Sequence, residues 1–547
     1  MSAAGDERTG SSSAESASAS RRGASLAVAL WLFCFSFYAL TGPGHSSSGD
    51  GFLIFLTARN LLNRGHLAIP HVHGTDQLRR AGVDGKLYAK FGPGLMVAHW
   101  PMLAVSRVAK HFAILRDPLT GEQPPSLRED EFWVQLTNAW VMASVVTLVF
   151  LLCGVFGADA RSSLTVSLLV AVASPIWLYA RVDATEGLQA LGIVGATYVL
   201  ALTRRAPNGA SRDLAGGAFY ALSLATKLFN ATLLPAFLLF YALTWRKRRS
   251  WRALAAFLLP AALSAVVLCG YNFVRFGSPF DTGYDLSDER FDHALLPGAL
   301  SIVFSPCYGL VLFWPAVFLA VAGVREQFRR LPEETTLIVA VFFILLGAYA
   351  TWWAYQGFYW GPRYVVPVIP LLATLILPVV RSTARWARAA FLGLFLLGFS
   401  VQAVAATTSH WQQIVHGIYL SIECKTIEDC VDNPHIAPLR VAVWYLRALY
   451  WREHSPERMQ LLLREPPWRE AVPWRDPDQA VAKVSETVGV DFWAAPDRWR
   501  LRRYNLWIPD GAAGVPSSRL LAAVFALLTA AASVPLARAL LSRGKTP

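Results

Sequence analysis

Apolar residues fall in repeated runs, most of them 16–24 residues and about long enough to cross a bilayer as a helix. The runs lie near 24–40, 133–156, 163–179, 187–202, 214–226, 228–244, 253–271, 302–321, 337–352, 364–380, 389–406 and 518–540, giving about twelve predicted spans. The stretch 91–108 is interrupted by Gly92, Pro93, Gly94, His99 and Pro101, and reads as an interfacial helix. Residues 51–64 read as a short amphipathic helix with Phe52, Phe55 and Leu56 apolar and Arg59 and Arg64 polar.

Composition fits this reading. Of 547 residues, 54% are hydrophobic and 16% charged, with a mean hydropathy of +0.38. A soluble chain of this size needs roughly a quarter of its residues charged to cover its surface. The class is therefore an all-α polytopic membrane protein with about twelve transmembrane helices, outer amphipathic helices and a small extracytoplasmic domain. The net charge of +13 then reports topology and no nucleic-acid partner. Tight basic clusters at Arg204/Arg205/Arg212, Arg246-Lys247-Arg248-Arg249, Arg325/Arg329/Arg330, Arg381/Arg385/Arg388 and Arg538/Arg543/Lys545 all fall on one side under this assignment. That side is the cytoplasm, with both termini.

The domain reading follows. Residues 1–23 are a Ser/Ala/Gly-rich disordered cytoplasmic tail. Residues 24–408 form the bundle, including a large outer loop at 44–132. Residues 409–516 form an extracytoplasmic domain, and 517–547 the last span and a cytoplasmic tail. Cys424 and Cys430, in the outer domain, can pair in an oxidising compartment, whereas Cys34, Cys153, Cys269 and Cys307 read as small buried hydrophobes.

Charged residues at the outer boundary carry the chemistry. A carboxylate beside a bilayer is costly unless solvated or paired. Asp50, in SSSGDGFLIFLTARNLL, reads either as a base or as the N-cap of the short helix. Asp183 and Glu186, in YARVDATEGLQA, read as a second acidic pair or as cap and first turn of the next span. Lys86 and Lys90 in DGKLYAKFGPG, Lys227 in LATKLFNATLLP, Arg275 in YNFVRFGSPFDTGYD and Arg363 in YWGPRYVVP are isolated cations at that face, where a lipid phosphate is a natural partner. Snorkelling is the plainer alternative for any one of them. Trp352, Trp353, Tyr355, Tyr359 and Trp360 form an aromatic belt or a substrate-lining surface, with Arg59 and Tyr88 as further lining candidates. His66, His71 and His73 are the metal-type signal, and without a carboxylate at fixed spacing they give a divalent metal little support.

An acid just after the first span, the pattern ARNLLNRG, and then GKLYAKFGPG resemble the large outer loop of GT-C superfamily membrane glycosyltransferases. These are the broad bacterial group near the aminoarabinose lipid A transferase and the protein O-mannosyltransferases. ATKLFNATLLP is similar to the Lys-containing helix turn of those enzymes, and FSPCYGLVLFWP and GPRYVVPVIPLL look like segments recurring in bacterial members. The resemblance covers about residues 50–370 and implies a transferase of the bacterial inner membrane using a polyprenyl-phosphate-linked sugar. The acceptor would be a glycan, lipid or protein hydroxyl, and no cofactor is required. Residue by residue, it makes Asp50 the base, places Lys90 at the lipid phosphate, and makes Asp183 or Glu186 the second acid. The family often has two acids in tandem after the first span; here Asp50 is followed by Gly51. A transporter or flippase is the competing class, and it would need ionisable groups near the bilayer midplane.

Overall fold

The computed structural model describes residues 7–44, 46, 48–72, 78–112, 126–205, 209–248, 250–284, 289–354, 360–407, 439 and 518–542. The expected outer domain at 409–516 (apart from Leu439), His73, Tyr355, Tyr359, Cys424 and Cys430 lie outside the described residues.

The chain starts with α1 (Glu7–Leu40), of which Arg22–Leu40 is apolar enough to cross a membrane. Residues 7–23, expected as a disordered tail, therefore continue the helix of the first span. Next come α2 (Gly49–Arg64), an antiparallel hairpin of β1 (Arg79–Ala81) and β2 (Leu87–Ala89), and the short helices α3 (Pro93–Ala98) and α4 (Trp100–His111). The bundle continues with α5 (Ser126–Val155), α6 (Ala160–Val172), α7 (Ile176–Tyr179), α8 (Glu186–Arg205) and α9 (Gly209–Thr226). A 3-10 turn, Leu228–Leu233, leads into α10 (Leu234–Arg248), then α11 (Trp251–Phe276), α12 (Leu295–Phe304), α13 (Leu310–Phe313), α14 (Val317–Arg330) and α15 (Pro332–Ala350). A second 3-10 turn, Arg363–Val368, precedes α16 (Ile369–Thr374), α17 (Leu377–Val380), α18 (Arg385–Thr407) and α19 (Ser518–Leu541).

Among the described residues, 8 helical stretches are long and apolar enough to span a membrane, fewer than the runs suggested. Three expected spans are broken by proline, which removes an N–H and clashes with the preceding turn. Pro175 separates α6 from α7, Pro306 and Pro315 flank α13, and Pro367, Pro370 and Pro378 punctuate the stretch from 363 to 380. The fourth, α9, is continuous, but its first turns carry Ser211, Arg212 and Asp213. Broken backbone is tolerated at membrane depth only where protein satisfies it. Here every residue from Arg363 to Thr374 is buried, and Gln402 of α18 donates to the Phe313 carbonyl at the end of α13 at 2.7 Å.

Two antiparallel helices define the ends of the bundle. α8 starts at Glu186 and runs about 30 Å to Arg204, which pairs with Glu333 at 2.9 Å and with Glu334 at the start of α15. α15 then returns to Tyr349. The helix α11 presents Leu259, Leu263, Val266 and Val267 outward, an apolar surface suited to lipid.

Candidate functional site

The site gathers at the bundle end where α2 and α8 begin and α9 and α15 finish. Ser48 is the N-cap of α2, in extended conformation, with its hydroxyl accepting from Gly51 N at 3.0 Å. The Asp50 carboxylate is thereby released from capping. Its Oδ2 accepts from Arg363 Nη2 at 2.6 Å, and Arg363 Nε donates to Glu186 Oε1 at 2.7 Å. The Asp50 side chain is 17% exposed, and among the described residues it accepts no other hydrogen bond. Glu186 is 1% exposed, and its Oε2 is buried with no partner among the described residues. One guanidinium thus fixes two carboxylates brought from opposite parts of the chain.

Asp183 stands on the other side of the α2 N-terminus, where Ser46 Oγ donates to its Oδ2. Gly51 is required for this packing: a Cβ there would fall onto the Asp183 backbone oxygen and carboxyl group. The tandem acid of the resembled family is therefore sterically excluded at this position. Asn138 secures the same turn, donating to the carbonyls of Val182 and, at 2.8 Å, Ala184.

Two cations complete the cluster. Lys227 lies between α9 and the following 3-10 turn, with Nζ 4.6 Å from the Tyr364 ring centroid and 5.2 Å from that of Tyr349. No carboxylate or carbonyl among the described residues accepts from this ammonium. Burial pulls its pKa down to about 8; Glu186, Asp50 and Glu289 oppose that and Arg363 adds to it. Lys90 Nζ lies 5.5 Å from the Tyr284 ring centroid and likewise meets no acceptor among the described residues. Burial first, then the charges of Asp50 and Glu289, push the Tyr284 hydroxyl upward. The FGPG turn brings the lysines together. Cβ atoms at Gly92 or Gly94 would overlap Ala225 O or Thr226, so this turn seats directly on the end of α9, one residue before Lys227.

The other expected residues are engaged elsewhere. Arg275 is buried and braces backbone, donating to the Ala89 and Phe91 carbonyls and, at 2.9 Å, to Asn272 Oδ1. Lys86 is largely exposed and pairs with Asp84 at 3.1 Å, and Tyr88 donates to the same carboxylate at 2.9 Å. Arg59 faces away from Asp50 and pairs with Asp130 at 2.7 Å. Trp360, expected to line substrate, is wholly buried and packs edge-on to Phe313 with centroids 5.1 Å apart. A flat, wet stacking surface needs an exposed ring face, and this one has none. Among the described residues, no three His, Cys, Asp or Glu side chains are placed to hold a metal ion.

Four contributors escaped the sequence reading: Tyr284, Glu289, Tyr349 and Tyr364. Tyr364 adjoins Arg363, and Tyr284 and Glu289 share the acidic loop after Arg275, so proximity to a named cation was the available signal. Tyr349 looked like part of an apolar span.

No family model matches the chain, and no curated relative does. Among solved structures, it is similar to crystal structures of ArnT from Cupriavidus metallidurans, at 14% identity and a TM-score of 0.46. The apo form covers 93% of this chain and 76% of that one, and the form bound to undecaprenyl phosphate 92% and 77%. It is also similar to the archaeal oligosaccharyltransferase AglB from Archaeoglobus fulgidus, in complex with an inhibitory peptide and a dolichol-phosphate. That match has 14% identity and a TM-score of 0.46, covering 80% of this chain and 58% of that one. Likeness of this degree assigns nothing to individual residues.

Proposed function

We propose that the protein is a GT-C-type membrane glycosyltransferase that moves a sugar from a polyprenyl-phosphate donor to an acceptor hydroxyl at the outer face of the inner membrane. The observation that carries this reading is an open carboxylate and two cations that meet no protein anion among the described residues, half-buried together at one end of the bundle. Asp50 is held by Arg363 with one oxygen uncommitted, while the Lys227 and Lys90 ammonium groups face aromatic rings and meet no protein anion among the described residues. Burial disfavours the charged form of Lys227, and an anionic ligand offsets that cost.

In the proposed reaction Asp50 takes the proton from the acceptor hydroxyl as its oxygen bonds to the anomeric carbon on the face opposite the phosphate. The carbon–oxygen bond to the lipid phosphate breaks, and the electron pair stays on the phosphate, beside Lys227 and Lys90. The anomeric configuration inverts. Arg363 positions Asp50, and the buried Glu186 carboxylate holds Arg363 from the other side.

The ionisable groups of the cluster sit at one end of the bundle and not at mid-depth, which favours an interfacial enzyme over a transporter or flippase. The opposite end carries Arg204, Arg325, Arg329 and Arg330, supporting a cytoplasmic assignment for that side. The test is glycan and glycolipid mass spectrometry of a strain lacking the gene, complemented with wild type or Asp50→Asn. The reading expects one modification to be lost on deletion, restored by wild type and not by Asp50→Asn. Full restoration by Asp50→Asn at equal protein level would overturn it.

A further inference from the structure

A second basic cavity, separate from the Asp50 cluster, opens between the C-terminal half of α2, α4 and the start of α5. It has a volume of about 210 Å³ and is lined by Arg59, Asn63, Arg107, Lys110, Ser126 and Asp130, closed by Leu62 and Leu103. Asp130 is the only lining carboxylate among the described residues, and its oxygens are already taken by Arg59 at 2.7 Å, Lys110 at 2.6 Å and Ser106 at 2.8 Å. Arg107 uses one amino group, Nη2, on neutral acceptors: the Leu62 carbonyl at 3.2 Å and Asn63 Oδ1 at 2.8 Å. The rest of its guanidinium meets no carboxylate among the described residues. Three cations against one carboxylate leave the described lining residues with a net charge of +2. Glu129, whose charge reaches Lys110, does not line the cavity and leaves the region positive.

The helix that supplies Arg107 and Lys110 also presents an apolar edge. Val105, Val108 and Phe112, at i, i+3 and i+7, are 40%, 55% and 69% exposed. Side chains at that spacing share one side of a helix. A basic face beside an exposed apolar face is the pattern of a helix lying at a membrane surface, where phosphate headgroups are concentrated.

We propose that this cavity is an anion site for the phosphate headgroup of a membrane amphiphile, read chiefly by Arg107 and Lys110. A guanidinium with free donors suits a phosphate bidentately, and a volume of this size holds a headgroup with bound water. Arg59 lies nine residues after Asp50, about 14 Å along α2. Because Arg59 also faces away from Asp50, an amphiphile held here leaves the Asp50 cluster unoccupied. The site stands on its own residues and does not depend on the proposed transfer reaction.

The full-length protein in detergent is titrated with phosphatidic acid or phosphatidylcholine and read by native mass spectrometry. Four variants are compared with wild type: Arg107→Gln, Arg107→Lys, Arg64→Gln as an exposed α2 control, and Lys227→Gln. Wild type is expected to retain phosphatidic acid at least tenfold over phosphatidylcholine. Arg107→Gln should weaken that retention fivefold or more, Arg107→Lys less, and Arg64→Gln not at all. Lys227→Gln should leave the Arg107-dependent part intact, separating this site from the Asp50 cluster. Inorganic phosphate at millimolar concentration should reduce the Arg107-dependent retention; no reduction would count against a headgroup read at this cavity. Retention in Arg107→Gln equal to wild type, with unchanged melting temperature, overturns the proposal.

Discussion

At the residue scale the central feature is Lys227, a cation placed against two tyrosine faces instead of a carboxylate. Because burial disfavours its ammonium, its proton leaves near pH 8 and not near the ordinary 10.5. Between those values the unfolded chain holds a proton that the folded chain has released, so this group makes stability rise with pH there; below pH 8 the full cost is present. Under the proposed reaction, affinity for a lipid phosphate should follow the opposite trend, because the ammonium would be the binding form. We expect binding of undecaprenyl phosphate to weaken about tenfold between pH 7 and pH 9. Lys227→Arg should remove that break, since a guanidinium stays charged throughout. Isothermal titration across this range checks both. Gly51 makes a second residue-scale prediction. Gly51→Ala forces a Cβ into Asp183 and should cost on the order of 1–3 kcal/mol by overpacking, seen as a lowered melting temperature. Gly51→Asp, which restores the tandem acid of the resembled family, should be worse.

Elements explain why some expected residues serve the site without entering it. Arg275 closes α11 and clamps the backbone of residues 89–91, the strand end that carries Lys90. Removing it leaves buried carbonyls without donors. Arg275→Ala should therefore lower stability by about 2–3 kcal/mol, and should weaken lipid-phosphate binding by displacing Lys90. A direct phosphate ligand would instead lose binding with stability kept or raised, so melting and binding measured on one sample separate the two roles. From sequence alone, Arg275 and Lys227 look alike, each an isolated cation at a span end. What distinguishes them is the set of acceptors around each, and that depends on contacts more than a hundred residues away. The same holds for Asp50: capping or chemistry was undecidable from spacing, until Ser48 took the cap. Trp360 misled because an aromatic at a span end commonly faces the interface, whereas the left-handed Gly361 beside it, with φ +74, turns the chain back into the bundle. The long uninterrupted helices were legible from hydropathy. The proline-broken ones were not, since their backbone is satisfied by partners such as Gln402.

For the whole molecule, α8 and α15 run between two charged clusters about 30 Å apart. One end holds the Asp50–Arg363–Glu186 bridge, the other the Arg204–Glu333/Glu334 clamp. Arg204→Ala leaves two largely buried carboxylates facing each other and should destabilise the fold by about 3 kcal/mol, read as a lowered melting temperature in detergent. Its affinity for undecaprenyl phosphate, measured where it remains folded, should match wild type. The most direct test of the account is the binding of undecaprenyl phosphate, which carries the leaving phosphate without requiring that the sugar be known. It is measured on the full chain in nanodiscs at pH 7 for wild type, Asp50→Asn and Lys227→Gln. The account predicts that Lys227→Gln binds about 10- to 100-fold more weakly, the loss of one charge-assisted contact. Asp50→Asn should bind as tightly as wild type or more so, its negative charge being removed. Equal affinity in Lys227→Gln and wild type would contradict it.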